Sequence, residues 1–132
     1  MRTQIKPRQH SHTPGVMNKP ERYYADVLFA RRHDGELVSF GFEQMAFTLV
    51  HNTPGGKNGT VFKPDFFIEF PGHIELHEVK EVSVSSKTGK KWSSAREDAI
   101  LKLKMASELF PMFVWKLIEV NLKRGTVEEK PF

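Results

Sequence analysis

The sequence has no cysteine among its 132 residues. Disulfide bonds and thiolate metal sites are therefore excluded, so any metal ion must be held by carboxylates, imidazoles or carbonyl oxygens. Donors of that kind favour a hard cation such as magnesium. The sequence also has no long apolar run, which argues against a membrane span, and its 27% of charged residues favour a soluble protein. No secretory signal is expected.

Length and charge set further limits. A chain of this size fits one domain, and 39% hydrophobic residues, including eleven phenylalanines, suffice for a packed core. The net charge of +4 is small. It is compatible with a polyanionic partner such as nucleic acid but does not establish one.

Composition divides the chain into three segments. Residues 1–17 are rich in basic residues, histidine and proline and poor in apolar residues, which predicts a flexible basic arm. Residues 18–120 are predicted to form the folded domain. Residues 121–132 are predicted to be a polar tail.

The first helix is predicted to begin at Asn18 as its N-cap, with Pro20 in the first turn, and to end near Arg32. At 100° per residue, Glu21 falls near the centre of the apolar face, so its carboxylate is expected to point toward the core. The apolar residues of that face are Tyr24, Ala25, Leu28 and Phe29.

Strands are predicted at residues 42–50, 61–70 and 74–82, forming an antiparallel meander, and again at residues 112–120. A polar loop at residues 83–91 and a second helix are predicted between the third strand and the last one. Ser94 and Glu97 form a capping-box pattern at the start of that helix, which is predicted to end at Leu109. The predicted fold is α/β, in the order α-β-β-β-α-β, with helices flanking a central mixed sheet.

Four charged side chains are expected to converge in this fold. Asp65 lies at the head of the apolar run of the second strand, while Glu78 and Lys80 continue the apolar face of the third strand. Charges on a core-facing row need partners or a metal ion, because burying an unpaired charge is costly. Glu21 is the fourth. His77, on the opposite face of the third strand, is expected to point outward.

This residue set suits phosphodiester hydrolysis. Asp65, Glu78 and the carbonyl of Val79 would bind magnesium directly, and Glu21 would hold the same ion through water or bind a second one. Lys80 would orient or deprotonate the attacking water and offset charge in the transition state. Other interpretations are that Asp65 is a turn residue, that Glu78 and Lys80 form a surface pair, and that Glu21 favours the positive end of its helix.

Pro64-Asp65 followed by Glu78-Val79-Lys80 resembles the signature of the PD-(D/E)XK nuclease superfamily. The segments 19–24 and 98–111 are similar to small phage nucleases related to phage endonuclease I. The resemblance implies a restriction-endonuclease-like core and magnesium-dependent cleavage of duplex or branched DNA, such as Holliday junctions, with manganese as a substitute ion. It also implies a homodimer and a cytoplasmic phage or prophage protein in a bacterial host.

Two other functions stay open. Phe42-Glu43-Gln44 together with residues 63–66 resembles the nuclease subunit of heteromeric transposases, which implies a role within a transposition or recombination complex. The second alternative is a non-catalytic nucleic-acid-binding module with the same fold. In each case DNA contacts are expected from a group of cationic residues and one aromatic residue, although such a run can also be a solvated loop. The group comprises Lys87, Lys90, Lys91, Trp92, Arg96 and Lys102.

Overall fold

A computed structural model describes residues 13–132, which contain two helices and eight strands. The helices are α1 (Lys19–His33) and α2 (Glu97–Leu109). The strands are β1 (Ser39–Phe42), β2 (Phe47–Val50), β3 (Thr60–Phe62), β4 (Phe66–Phe70), β5 (His73–Val84), β6 (Lys91–Ser93), β7 (Val114–Asn121) and β8 (Thr126–Pro131). In this part of the chain, neither helix is long and apolar enough to cross a membrane.

Six strands form the main sheet, in the order β1-β4-β5-β7-β8, and β6 pairs with the far end of β5. β5 and β7 are parallel, and the other pairs are antiparallel. A parallel pair needs a long crossover connection, and the segment containing β6 and α2 supplies it. The predicted mixed α/β architecture with a central mixed sheet is therefore confirmed.

Two hydrophobic cores lie on opposite faces of the sheet. Alternation along β5 sends Val79 to the α1 face and Leu76 to the α2 face, where each joins a separate cluster of buried residues. The first cluster is Tyr24, Ala25, Leu28, Leu37, Phe66, Ile68, Val79, Ile118 and Val120. The second is Phe47, Leu49, Phe62, Leu76, Leu103, Ala106, Trp115 and Leu117. β5 is consequently covered on both faces.

The start of α1 agrees with the sequence prediction. The Asn18 side chain accepts a hydrogen bond from the Glu21 N–H at 2.9 Å, and the Glu21 carboxylate accepts one from the Asn18 N–H at 2.9 Å. This reciprocal pair is a capping box. The helix stops at Asp34 and Gly35, whose φ of 81° ends the helical path. Phe29, predicted to face the core, is 57% exposed and contacts Phe40 at the helix edge.

The predicted strand at residues 42–50 is wrong. Glu43 has a φ of 52°, and its N–H donates to the Asp65 carbonyl, so the chain turns out of the main sheet after β1. β2 pairs instead with β3 in a separate two-stranded sheet. The predicted strand at residues 61–70 is likewise divided, because Pro64 lacks the N–H that a central strand needs.

Two polar segments contain strands that were not predicted. β8 lies within the supposed tail at residues 121–132 and pairs with β7, while β5 extends into the supposed loop and β6 folds back on it. Residues 13–17 of the predicted arm contact the folded chain through the Gly15 N–H, which donates to Glu43 at 3.0 Å, and through Met17, which packs on the core. The rest of the arm lies outside the described residues.

The capping box predicted at Ser94 is wrong. α2 begins at Glu97, and its N-cap residue Arg96 makes no side-chain capping bond. The Ser94 hydroxyl instead accepts a hydrogen bond from the Glu81 N–H at 2.9 Å, and the Ser94 N–H donates to the Glu81 carbonyl. Ser94 is therefore used to hold the connection against β5, and α2 starts later.

Candidate functional site

Asp65 and Glu78 meet where β4 begins beside the middle of β5. Phe66 is opposite His77 in the antiparallel register of β4 and β5. Asp65, one residue before Phe66, therefore stands opposite Glu78, one residue after His77. The Asp65 N–H donates to a Glu78 carboxylate oxygen at 3.2 Å, and the Val79 N–H donates to the Asp65 carboxylate at 2.8 Å. These two bonds fix both carboxylates on neighbouring strands.

Pro64 is the local cause of this arrangement. It is fully buried and has no N–H to give to the sheet, so β4 starts only at Phe66. The carboxylate of Asp65 is thereby released from strand geometry and turns toward β5. The sequence order Pro-Asp before an apolar strand thus has a direct structural effect.

Lys80 lies beside Glu78 on the same face of β5. Its Nζ is 3.8 Å from a Glu78 carboxylate oxygen, and its side chain is 25% exposed. Both residues line a cleft of about 270 Å³ between β3, β5 and the start of α2. The remaining lining residues are Val61, Phe62, Lys63, Asp98, Ala99 and Lys102. The cleft therefore combines a buried carboxylate with several lysines at its wall.

Burial dominates the electrostatics of the two carboxylates. It raises the pKa of Asp65 well above its ordinary value, and the charge of Glu78 raises that pKa further, against the opposing effects of the Val79 N–H and Lys80. Burial also raises the pKa of Glu78, and the charge of Glu21 adds to the rise, while Asp65 and Lys80 oppose it. Without a cation, ionising both carboxylates at once is therefore unfavourable.

Glu21 is buried next to this pair, at 3% exposure, and is also part of the capping box of α1. The helix-end interpretation of Glu21 is thus supported by a specific contact. The electrostatic effect of Glu21 on Glu78 shows that its charge also acts on the site. A direct role for Glu21 in binding a metal ion stays a prediction.

The donor set fits one magnesium ion. Within residues 13–132, no group of three or more histidine and carboxylate side chains is arranged to hold a metal ion. Magnesium, however, usually keeps several waters and binds one or two protein carboxylates together with substrate phosphate. Asp65 and Glu78 supply such a pair, and the Val79 carbonyl stays a predicted third ligand.

The predicted DNA-binding residues fall into separate groups. Lys102 lines the cleft with Lys80, whereas Lys91 is bonded to Glu119 on β7 at 2.7 Å. Trp92 is 55% exposed. The remaining three are exposed, two in the connection between β5 and β6 and one before α2: Lys87, Lys90 and Arg96.

Two charged residues of the cleft were not predicted from the sequence as site residues. Lys63 immediately precedes the Pro64-Asp65 pair, so its position in the motif was an available signal. Asp98 lies four residues before Lys102 in α2, and residues with that spacing share one helix face. Asp98 brings a further, exposed carboxylate to the mouth of the cleft.

His77, predicted to point outward, is fully buried on the α1 face. Its ring contacts the Tyr24 hydroxyl at 2.7 Å and a Glu75 oxygen at 2.8 Å, and Lys116 contacts the same Glu75 oxygen at 3.0 Å. Burial disfavours the charged form of Glu75. The hydrogen bonds from His77, His73 and Lys116 outweigh this effect and lower the pKa of Glu75 to about 2. This polar network anchors β5 to α1 directly behind Glu78.

The chain was compared with known protein families, with curated proteins and with solved structures. No match was found in any of the three comparisons. The resemblance to nucleases therefore rests on the motif residues themselves, and the function has to be argued from the site.

Proposed function

We propose that this protein is a magnesium-dependent endonuclease of the PD-(D/E)XK type that hydrolyses DNA phosphodiester bonds, with selectivity for branched DNA. The observation that carries the proposal is the pair Asp65 and Glu78, held by hydrogen bonds from the N–H groups of Val79 and Asp65, with Lys80 3.8 Å from Glu78 at an open cleft. A purely structural pair would gain little from placing the half-buried carboxylate of Asp65 beside the buried carboxylate of Glu78.

The topology supports the same proposal. If β2, β3, β6 and β8 are regarded as additions, the elements that remain are α1, β1, β4, β5, α2 and β7, in the order α-β-β-β-α-β. Their strands follow the sheet order β1-β4-β5-β7, with β5 and β7 parallel. We infer that this is the restriction-endonuclease-like core that the motif implies.

Each residue has a defined role in the proposed reaction. Asp65 and Glu78 would hold the cation, whose charge would stabilise negative charge on the phosphoryl oxygens and make a water more acidic. Lys80 orients or deprotonates the attacking water and offsets charge at phosphorus. Lys63 and Lys102 lie at the cleft wall, where they can bind flanking phosphates as point charges. Cleavage of both strands of a duplex would need two such sites, which a homodimer supplies.

Cleavage of a panel of labelled DNAs tests the proposal. We expect four-way junctions and flaps to be cut faster than linear duplex in MgCl₂ or MnCl₂, and no cleavage in EDTA or CaCl₂. Asp65→Asn and Glu78→Gln should each reduce the rate by about 100-fold or more, as loss of a transition-state contact does. Asp26→Asn, which changes an exposed carboxylate of α1, is the matched control and should leave the rate unchanged.

The outcomes separate the alternatives. If the wild-type protein cuts none of these DNAs, or if Asp65→Asn cuts as fast as wild type, the nuclease proposal is wrong. Binding without cleavage would favour the non-catalytic nucleic-acid-binding module. Cleavage that begins only when partner proteins are added would favour a subunit of a recombination or transposition complex.

A further inference from the structure

Lys91 and Lys130 converge on one buried carboxylate outside the proposed cleft. Both ammonium groups contact the same oxygen of Glu119, at 2.7 Å from Lys91 and 2.8 Å from Lys130. Glu119 is 4% exposed, whereas each lysine side chain is 43% exposed. Residues from β6, β7 and β8 therefore build one cluster with a buried acidic centre and a partly exposed basic surface.

The cluster lies on the same face of the sheet as Glu78 and Lys80. Glu119 is in register with Lys80 on the neighbouring parallel strand, and alternation from Leu117, in the α2-side core, gives Glu119 the same direction. Lys130 is in register with Leu117, which in turn is in register with Glu78. Two strand spacings of about 4.8 Å each place the Lys130 backbone about 10 Å from that of Glu78.

The cluster carries more positive than negative charge where it meets solvent. Burial opposes ionisation of Glu119, but hydrogen bonds from Lys130 and Lys91 outweigh it and hold the pKa of Glu119 below its ordinary value. One carboxylate offsets one of the two ammonium groups. The charged groups that reach solvent are then the two lysines and Glu128, which is exposed and opposite Glu119 on β8, because Glu119 itself is buried.

Both lysines retain binding capacity. An ammonium group has three N–H donors, and the bond to Glu119 uses one of them. Because Glu119 holds both side chains in place, less rotamer freedom is lost when an anion binds between them. Phosphate is the anion that such paired lysines suit, since lysine binds phosphate as a point charge.

We propose that Lys91 and Lys130, positioned by Glu119, form a second phosphate-binding subsite for the DNA backbone. This inference rests on the proposed action on DNA. Phosphates of one strand follow one another closely along the duplex. A subsite about 10 Å away would thus hold a nearby phosphate of the same strand and would fix the direction of the strand across the sheet.

Binding measured in calcium, where no cleavage is expected, tests the subsite without depending on catalysis. Fluorescence anisotropy of a labelled duplex is followed from 50 to 200 mM salt, conditions chosen for the strong salt dependence of phosphate contacts. For Lys91→Ala and Lys130→Ala, the slope of log affinity against log salt should each fall by about 0.9, the value for one lost phosphate contact. Lys104→Ala, an exposed lysine of α2, is the control and should keep the wild-type slope.

Glu119→Gln gives the opposite sign and separates the subsite from a merely structural bridge. The glutamine side chain keeps an oxygen that can accept hydrogen bonds from both lysines, so their positions are retained while the negative charge is lost. DNA affinity should therefore rise several-fold and the salt slope should steepen. Lys130→Arg should retain most of the binding. The melting temperature of each variant shows whether it folds. If an alanine variant does not fold, the Glu119→Gln and Lys130→Arg variants still test the subsite.

Unchanged slopes in both lysine variants, or weaker binding by Glu119→Gln, would overturn the subsite. Its failure can be distinguished from failure of the nuclease proposal. Salt-dependent binding through these lysines without any cleavage in magnesium would retain the subsite and reject the enzyme. Cleavage with unchanged salt slopes would do the reverse.

Discussion

Replacing Asp65 with asparagine should stabilise the protein in the absence of metal. Asp65 is a half-buried and Glu78 a buried carboxylate, and the pKa values of both are raised, chiefly by loss of solvent. The amide keeps an oxygen to accept the hydrogen bond from the Val79 N–H, now made at 2.8 Å. It also offers an N–H to Glu78, so that a hydrogen bond the native pair makes only while it holds a proton no longer depends on that proton.

The magnitude follows from the spacing of the two groups. Two charges about 4 Å apart repel by about 4 kcal/mol at an effective dielectric constant of about 20. The native pair avoids part of this repulsion by holding a proton, so we expect a gain of about 1–2 kcal/mol in the free energy of unfolding. For a chain of this length that raises the melting temperature by about 4–8 °C.

The assay is thermal unfolding of wild type and Asp65→Asn in EDTA between pH 5 and pH 8. A carboxyl group with a raised folded pKa binds its proton more tightly in the folded state. Its contribution to the free energy of unfolding is most favourable below the ordinary pKa values, 3.8 for Asp65 and 4.5 for Glu78. This contribution is lost as the pH rises through the pKa values of the folded state. The advantage of Asp65→Asn should therefore widen toward pH 8.

Magnesium should remove most or all of this difference in stability. With a dissociation constant of about 1 mM, 10 mM MgCl₂ stabilises wild type by about 1.4 kcal/mol, whereas Asp65→Asn should gain little. Asp26→Asn should follow wild type under every condition. The reasoning is refuted if Asp65→Asn melts below wild type in EDTA at pH 8, or if magnesium raises both melting temperatures equally.

Three further predictions concern other parts of the structure. Lys80→Met should abolish cleavage while calorimetry still detects magnesium binding, and Lys104→Met should retain both; equal loss of cleavage and binding would assign Lys80 a structural role. His77→Ala should lower the free energy of unfolding, measured in urea, by about 3 kcal/mol, because Tyr24 and Glu75 lose the imidazole ring to which they are hydrogen-bonded. Replacing the exposed His73 with alanine should lower it less, and equal losses would contradict the proposed anchoring of β5. Deleting residues 126–131 should lower the melting temperature sharply, because β7 loses a neighbouring strand; a wild-type melting curve would show that β8 contributes no stability.

The parts of the fold that the sequence predicted depend on local chemistry. α1 begins after Asn18 and ends before Gly35 because of short-range hydrogen bonds and backbone conformation, which these residue types specify directly. Asp65 and Glu78 meet because a short turn between β4 and β5 fixes their antiparallel register. Both results need only neighbouring segments of the chain.

The parts that the sequence did not predict depend on distant partners. His77 alternates as an outward residue would, but α1 covers that face of β5, and periodicity within one strand cannot reveal the second layer. β8 has a polar sequence, yet Lys130 finds its partner in Glu119, on β7. The turn at Glu43, which separates β2 from β1, likewise requires the carbonyl of Asp65.

The coverage of β5 on both faces has a consequence for how the strand tolerates change. Consecutive residues alternate between anchoring the strand to α1, as His77 and Val79 do, and facing the cleft, as Glu78 and Lys80 do. A single-residue insertion or deletion before Glu78 would exchange the two sets. The Glu78 carboxylate and the Lys80 ammonium group would then enter the apolar core. The register of β5 can therefore shift only by an even number of residues.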